Sequence, residues 1–111
     1  MYLNKDFEII KKTVLKEIEP FQIVLFGSYA TGDQTELSDI DLMIMLKERI
    51  SRKEKLMLQF NIEKRFLKLK YDIDLVIKNW DDFNKYKKYI GTINYDVSKT
   101  GKILWTKNWL N

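Results

Sequence analysis

Apolar residues recur every third or fourth position near the start of the chain: Phe7, Ile10, Val14 and Ile18. That spacing predicts a helix over 3–18. Glu19-Pro20 closes it, since proline cannot continue the hydrogen-bond ladder and restricts the residue before it. The pattern then changes to a nearly unbroken apolar run, 21–26, which predicts a strand buried on both faces. Two further runs, 39–46 and 71–78, predict strands. Between them 51–68 reads as a helix with Ser51 and Glu54 at capping-box spacing. Leu56, Met57, Phe60, Ile62, Phe66 and Leu67 are its expected apolar surface. Asn79 is expected to cap a helix from about 80 to 99, with Phe83, Tyr86, Ile90, Ile93 and Val97 as its seam. Gly91 interrupts that seam and Gly101 ends the helix. Lys102 to Trp105 predicts a short last strand, and Trp109 and Leu110 are the only features of the tail.

The second and third strands carry residues that strands disfavour. Asp39 and Asp41 lie in Ser38-Asp39-Ile40-Asp41-Leu42, and Asp74 lies in Tyr71-Asp72-Ile73-Asp74-Leu75-Val76. Aspartate gains little from a half-buried surface. Residues i and i+2 of a strand share a face, so Asp39 and Asp41 converge. Two adjacent carboxylates repel unless a positive group lies between them. A divalent metal with hard oxygen ligands, Mg²⁺, answers that need. Asp72 shares the face of Asp74, and a register slip of two would bring it to the site instead.

Upstream, Phe26-Gly27-Ser28 ends the first strand and a helical turn follows. Gly27 permits close backbone approach. The Ser28 hydroxyl and neighbouring N–H groups can hold phosphate oxygens, helped by the positive end of the next helix. No Gly-Lys-Ser/Thr follows, so this is not a P-loop. A phosphate cradle followed by a metal-binding pair points to a nucleoside triphosphate.

Gly27-Ser28-Tyr29-Ala30-Thr31-Gly32, Ser38-Asp39-Ile40-Asp41-Leu42 and Asp74-Leu75-Val76 together resemble the signature of the polymerase-beta-type nucleotidyltransferases. Within them the pattern is most similar to the minimal nucleotidyltransferases often encoded beside HEPN-domain partners. The resemblance spans roughly residues 5 to 105. Thr31 departs from it, standing where the family often has Arg or Lys. The resemblance implies an α+β fold of the polymerase-beta-like kind, a small mixed sheet flanked by helices. It implies transfer of AMP from ATP–Mg to an acceptor hydroxyl, with pyrophosphate released. Asp39 and Asp41 would bridge two metals and Asp74 would complete the catalytic-metal site. Asp74 could also take the acceptor proton. Gly27 and Ser28 would bind the triphosphate. Ser38 is a weaker nucleotide-side candidate that fixes the strand entry. The Leu-Val after Asp74 favours it over Asp72. The implied acceptor is a tyrosine of a HEPN toxin, with this chain as a type VII-like antitoxin. The alternative is a nucleotide-binding module that inhibits its partner by contact alone. A small-molecule nucleotidyltransferase ranks last, because 111 residues leave no room for an acceptor domain.

Composition narrows the chemistry further. One domain, 1–111, is expected at this length. The chain has no Cys and no His, which removes disulfides, thiol chemistry and imidazole catalysis. Carboxylates, Tyr or Lys must carry any proton transfer. No apolar run reaches membrane-spanning length and the N-terminus does not read as a signal peptide, so a cytoplasmic location is expected. The formal net charge is +4, and residues 47–70 hold nine Lys/Arg against three Glu. The ordinary reading of that stretch is a solvated helix face. A protein partner suits it at least as well as a polynucleotide, so nucleic acid enters only indirectly. Trp80, Tyr86, Tyr89, Tyr95, Trp105 and Trp109 are expected mostly in the core.

Overall fold

Apolar residues on both faces of the central strands give the sheet two covered faces. The computed structural model describes residues 1–107. Its elements run α1 (Asn4–Leu15), β1 (Gln22–Phe26), α2 (Ser28–Thr31), β2 (Ile40–Leu46), α3 (Arg52–Lys68), β3 (Ile73–Asn79), α4 (Trp80–Tyr86), α5 (Ile93–Thr100) and β4 (Lys102–Thr106). The four strands form one sheet in the order β3-β2-β1-β4. β1 is antiparallel to β2 and β4, whereas β2 and β3 are parallel. The expected mixed sheet flanked by helices is what forms. The parallel pair needs a crossover, and α3 supplies it.

One face of the sheet packs Ile23, Leu25, Ile40, Leu42, Ile44, Leu75 and Ile77 against Ile10 and Val14 of α1 and Ile62 and Phe66 of α3. The other packs Val24, Met43 and Met45 against Phe83 of α4 and Val97 of α5. Each large apolar side chain removed from water in this way contributes roughly 1.5–3 kcal/mol.

Local signals set the helix ends. The Asp6 carboxylate accepts the Leu3 N–H at 2.7 Å at the start of α1. Ser51 and Glu54 form the expected capping box: Glu54 N–H donates to Ser51 Oγ at 3.1 Å, and Ser51 N–H to Glu54 Oε1 at 3.3 Å. α3 closes with Lys70 N–H donating to the Leu67 carbonyl and Tyr71 N–H to the Phe66 carbonyl, both at 3.1 Å. This is a Schellman closure with Lys70 at its left-handed position, φ 61°. Asn79 caps α4 as expected, accepting the Asp82 N–H at 3.1 Å.

Three expectations are corrected. The helix expected over 80–99 is two helices, because Gly91 takes φ 91° and Thr92 caps a new start, accepting the Tyr95 N–H at 3.1 Å. Its expected seam is therefore broken: Phe83 and Val97 are buried while Tyr86, Ile90 and Ile93 are exposed. On α3 only Ile62 and Phe66 are buried; Leu56, Met57, Phe60 and Leu67 face outward. Of the aromatics expected in the core, Tyr86 and Tyr89 are exposed and Trp80, Tyr95 and Trp105 only half-buried. Trp109 and Leu110 lie outside the described residues.

Candidate active site

Strand period and register bring the acidic residues to one end of one face. Asp41 pairs with Phe26 on β1 and with Asp74 on β3. Asp39 precedes β2 by one residue and shares the parity of Asp41. All three thus lie on the α4/α5 side of the sheet. Asp72 precedes β3; the residue in register with Asp41 is Asp74. Asp41 is half-buried, whereas Asp39 and Asp74 are exposed. Burial pushes the Asp41 carboxyl above the ordinary carboxylate range, and the charges of Asp74 and then Asp39 push it further. None of the three side chains has a hydrogen bond or ion pair with another described residue. Among the described residues the cluster is therefore a field of like charge that no cation relieves.

The serine turn closes over this field. Gly27 takes φ 72° and ψ −153°, a region essentially restricted to glycine. A Cβ there would overlap the Asp41 carboxylate. The Gly27 carbonyl accepts the N–H groups of Ala30 at 3.0 Å and Thr31 at 3.1 Å, which starts α2. α2 has four residues, so its dipole is small, and the useful donors are the orphan N–H groups of its first turn. The Ser28 hydroxyl has no partner among the described residues.

Ser38 is differently employed. Its hydroxyl accepts the Thr35 N–H at 2.9 Å and its own N–H donates to the Thr35 carbonyl at 3.1 Å. That fixes the loop entering β2. Ser38, Asp39 and Asp72 line a cavity of about 350 Å³ together with Tyr2 and Tyr29. A larger cavity of about 640 Å³, between Phe7, Leu25, Tyr29 and Leu104, has no carboxylate in its walls and so lacks the chemistry.

Tyr2 is the site neighbour that sequence reasoning missed. Its ring sits between Tyr29 and Tyr71, with centroids 5.9 and 5.5 Å away. Its N–H donates to the Tyr29 hydroxyl and its own hydroxyl accepts the Asp72 N–H, both at 3.2 Å. The N-terminal segment thus ties the serine turn to the start of β3. Nothing in a single terminal tyrosine signals that role. The Tyr71 hydroxyl in turn donates to Asp6 at 2.9 Å. Burial, then that bond, pushes the Tyr71 hydroxyl pKa up, while the Leu3 N–H first and Tyr71 second hold Asp6 low.

Among the described residues no three carboxylates close around a single point. The donor set still suits a hard dication: three carboxylates, no nitrogen or sulfur, and mutual repulsion that such an ion would relieve. Beside a free hydroxyl and orphan N–H groups, the arrangement can accommodate a polyphosphate and accept a proton.

Comparison with known proteins gives the same direction. The family model for "Polymerase beta, Nucleotidyltransferase" matches residues 8–109. "Putative protein adenylyltransferase MJ0141" of Methanocaldococcus jannaschii is 44% identical over 69 residues, 62% of this chain and 67% of that protein. A crystal structure of a toxin–antitoxin with AMP-PNP contains a chain 28% identical, with a TM-score of 0.61, covering 95% of this chain and 75% of its own. A tri-AMPylated Shewanella oneidensis HEPN toxin in complex with MNT antitoxin contains another, 23% identical with a TM-score of 0.55, covering 93% and 71%, a likeness of fold.

Proposed function

Because the chain belongs to the polymerase beta nucleotidyltransferase family, we propose that it transfers AMP from ATP to a tyrosine hydroxyl of a HEPN-type toxin, as the antitoxin of that pair. Membership makes it a nucleotidyltransferase; the nucleotide, acceptor and partner are the proposal. The observation that carries it is the pairing of Asp41 with Asp74, with Asp39 two residues away, under the Gly27-Ser28 turn.

In the reaction the acceptor oxygen forms a bond to the α-phosphorus. The bond from that phosphorus to the α–β bridging oxygen breaks, and pyrophosphate leaves. Asp39, Asp41 and Asp74 would hold Mg²⁺, which when bound neutralises charge on the attacking and leaving oxygens. Asp74, on the neighbouring strand, takes the acceptor proton, a task no histidine is present to perform. Ser28 and the N–H groups beside it position the β- and γ-phosphates. Ser38 acts indirectly, by holding the loop that delivers Asp39.

The named neighbours support this reading. One relative is a protein adenylyltransferase by name, and one similar structure is a toxin–antitoxin with an ATP analogue. No described helix is long and apolar enough to cross a membrane, and the cytoplasm is the proposed location. The test is co-incubation of the chain with a HEPN-type protein, sought in the adjacent reading frame, and ATP–Mg²⁺, followed by intact mass. Added AMP on the partner, mapped to a tyrosine, supports the proposal. An unmodified partner that is nonetheless inhibited supports the second reading, inhibition by contact, which the exposed apolar side chains of α3 favour.

A further inference from the structure

The outward side of α3 carries a second apolar stripe. At about 100° per residue, Leu56, Met57, Phe60 and Leu67 fall within a roughly 100° arc, facing away from Ile62 and Phe66. Their exposures are 57%, 53%, 59% and 74%. The stripe is about 17 Å long at 1.5 Å per residue. A helix apolar on both sides is ordinarily covered on both sides. Lys53 and Lys64 lie inside the same arc, both exposed and neither ion-paired among the described residues. The Lys64 ammonium sits 5.4 Å from the centre of the Phe60 ring.

We propose that this face docks an acidic amphipathic helix of a partner protein. Charge selects the occupant. Two copies of this chain joined through α3 would set lysines against lysines. A flat bilayer would have to bury Lys64, which lies between Phe60 and Leu67 within the stripe, and Lys53, in the same arc one turn before it, with the apolar side chains. A helix carrying carboxylates beside its leucines covers the apolar side chains and pairs with both lysines. α3 packs on the sheet face opposite the one that presents Asp39, Asp41 and Asp74. A partner held there leaves the carboxylates open, so docking and group transfer use separate surfaces.

The test uses a labelled helical peptide of leucine and glutamate in heptad pattern, and its leucine–lysine counterpart, titrated with the purified chain without ATP. Omitting ATP makes the outcome independent of AMP transfer. The acidic peptide should bind at least tenfold tighter than the basic one. Phe60→Asp should weaken it tenfold or more with an unchanged circular dichroism spectrum. Lys53→Glu with Lys64→Glu should reverse the preference between peptides. Absence of binding, equal binding of the two peptides, or full binding by Phe60→Asp overturns the proposal. So does wild-type self-association abolished by Phe60→Asp, or binding confined to phosphatidylserine vesicles.

Discussion

Gly27 and Asp41 occupy the same space but for one missing atom: a side chain on Gly27 would overlap the Asp41 carboxylate. Gly27→Ala therefore acts twice. The backbone conformation there costs a non-glycine residue about 1–3 kcal/mol. The Asp41 side chain must also swing aside. We expect a stability loss of about that size by denaturant titration, and a loss of transfer larger than the unfolded fraction explains. Unchanged activity in the folded variant would uncouple the turn from the carboxylate.

Asp41→Asn should abolish AMP transfer and yet not weaken the fold at neutral pH. The native pKa of Asp41 is raised above its ordinary 3.8. The native state thus holds this proton more tightly than the unfolded state, so its contribution to stability falls as pH rises from about 3.8 through the raised value. At neutral pH the charged side chain is a burden that asparagine removes. Discounted for solvent screening, the gain is below about 1 kcal/mol, and it disappears in acid. Thermal melts of both proteins at neutral and acidic pH measure it.

Asp74→Asn and Asp72→Asn separate two residues of like parity. Asp74 is in register with Asp41, whereas Asp72 lies outside the strand. The first substitution should cost at least about a hundredfold in transfer rate, the scale of a lost general base. The second should leave the rate within about threefold of wild type, a change of under roughly 1 kcal/mol in barrier. A labelled-ATP assay decides; the reverse ranking would move the site by one strand period.

Lys70→Gly should stabilise the chain. Lys70 is the one described non-glycine residue with positive φ, at the Schellman position after α3. A left-handed conformation costs an ordinary L-residue about 1–2 kcal/mol. Part of that is returned by the greater freedom of glycine when unfolded. A gain of about 0.5–1 kcal/mol in denaturant titration is expected, with transfer unchanged.

The carboxylates were legible because they break a rule: aspartates at period two inside apolar runs have no packing reason to be there. The capping box at Ser51 and the stop at Pro20 were equally local, and local signals survive folding. Which of two apolar stripes on α3 meets the sheet is not local. Ile62 and Leu67 look alike in sequence, and only the crossover from β2 to β3 decides that Ile62 goes inward. The break between α4 and α5 was half visible. Gly91 interrupts the apolar seam in the sequence itself, but it is Thr92 beside it, a second N-cap, that ends the continuity. Tyr2 was illegible because its role depends on three partners, Tyr29, Tyr71 and Asp72, distant in sequence.

The crossover through α3 has an evolutionary consequence. Asp74 meets Asp41 because Leu75 and Ile77 are buried on the α3 side, which pins the register and turns the residue before them to the other face. The outward side chains of the same helix touch neither strand. Drift on that outward face is free of the constraint that holds Asp74 in register, so descendants can change the company the protein keeps before they change its chemistry.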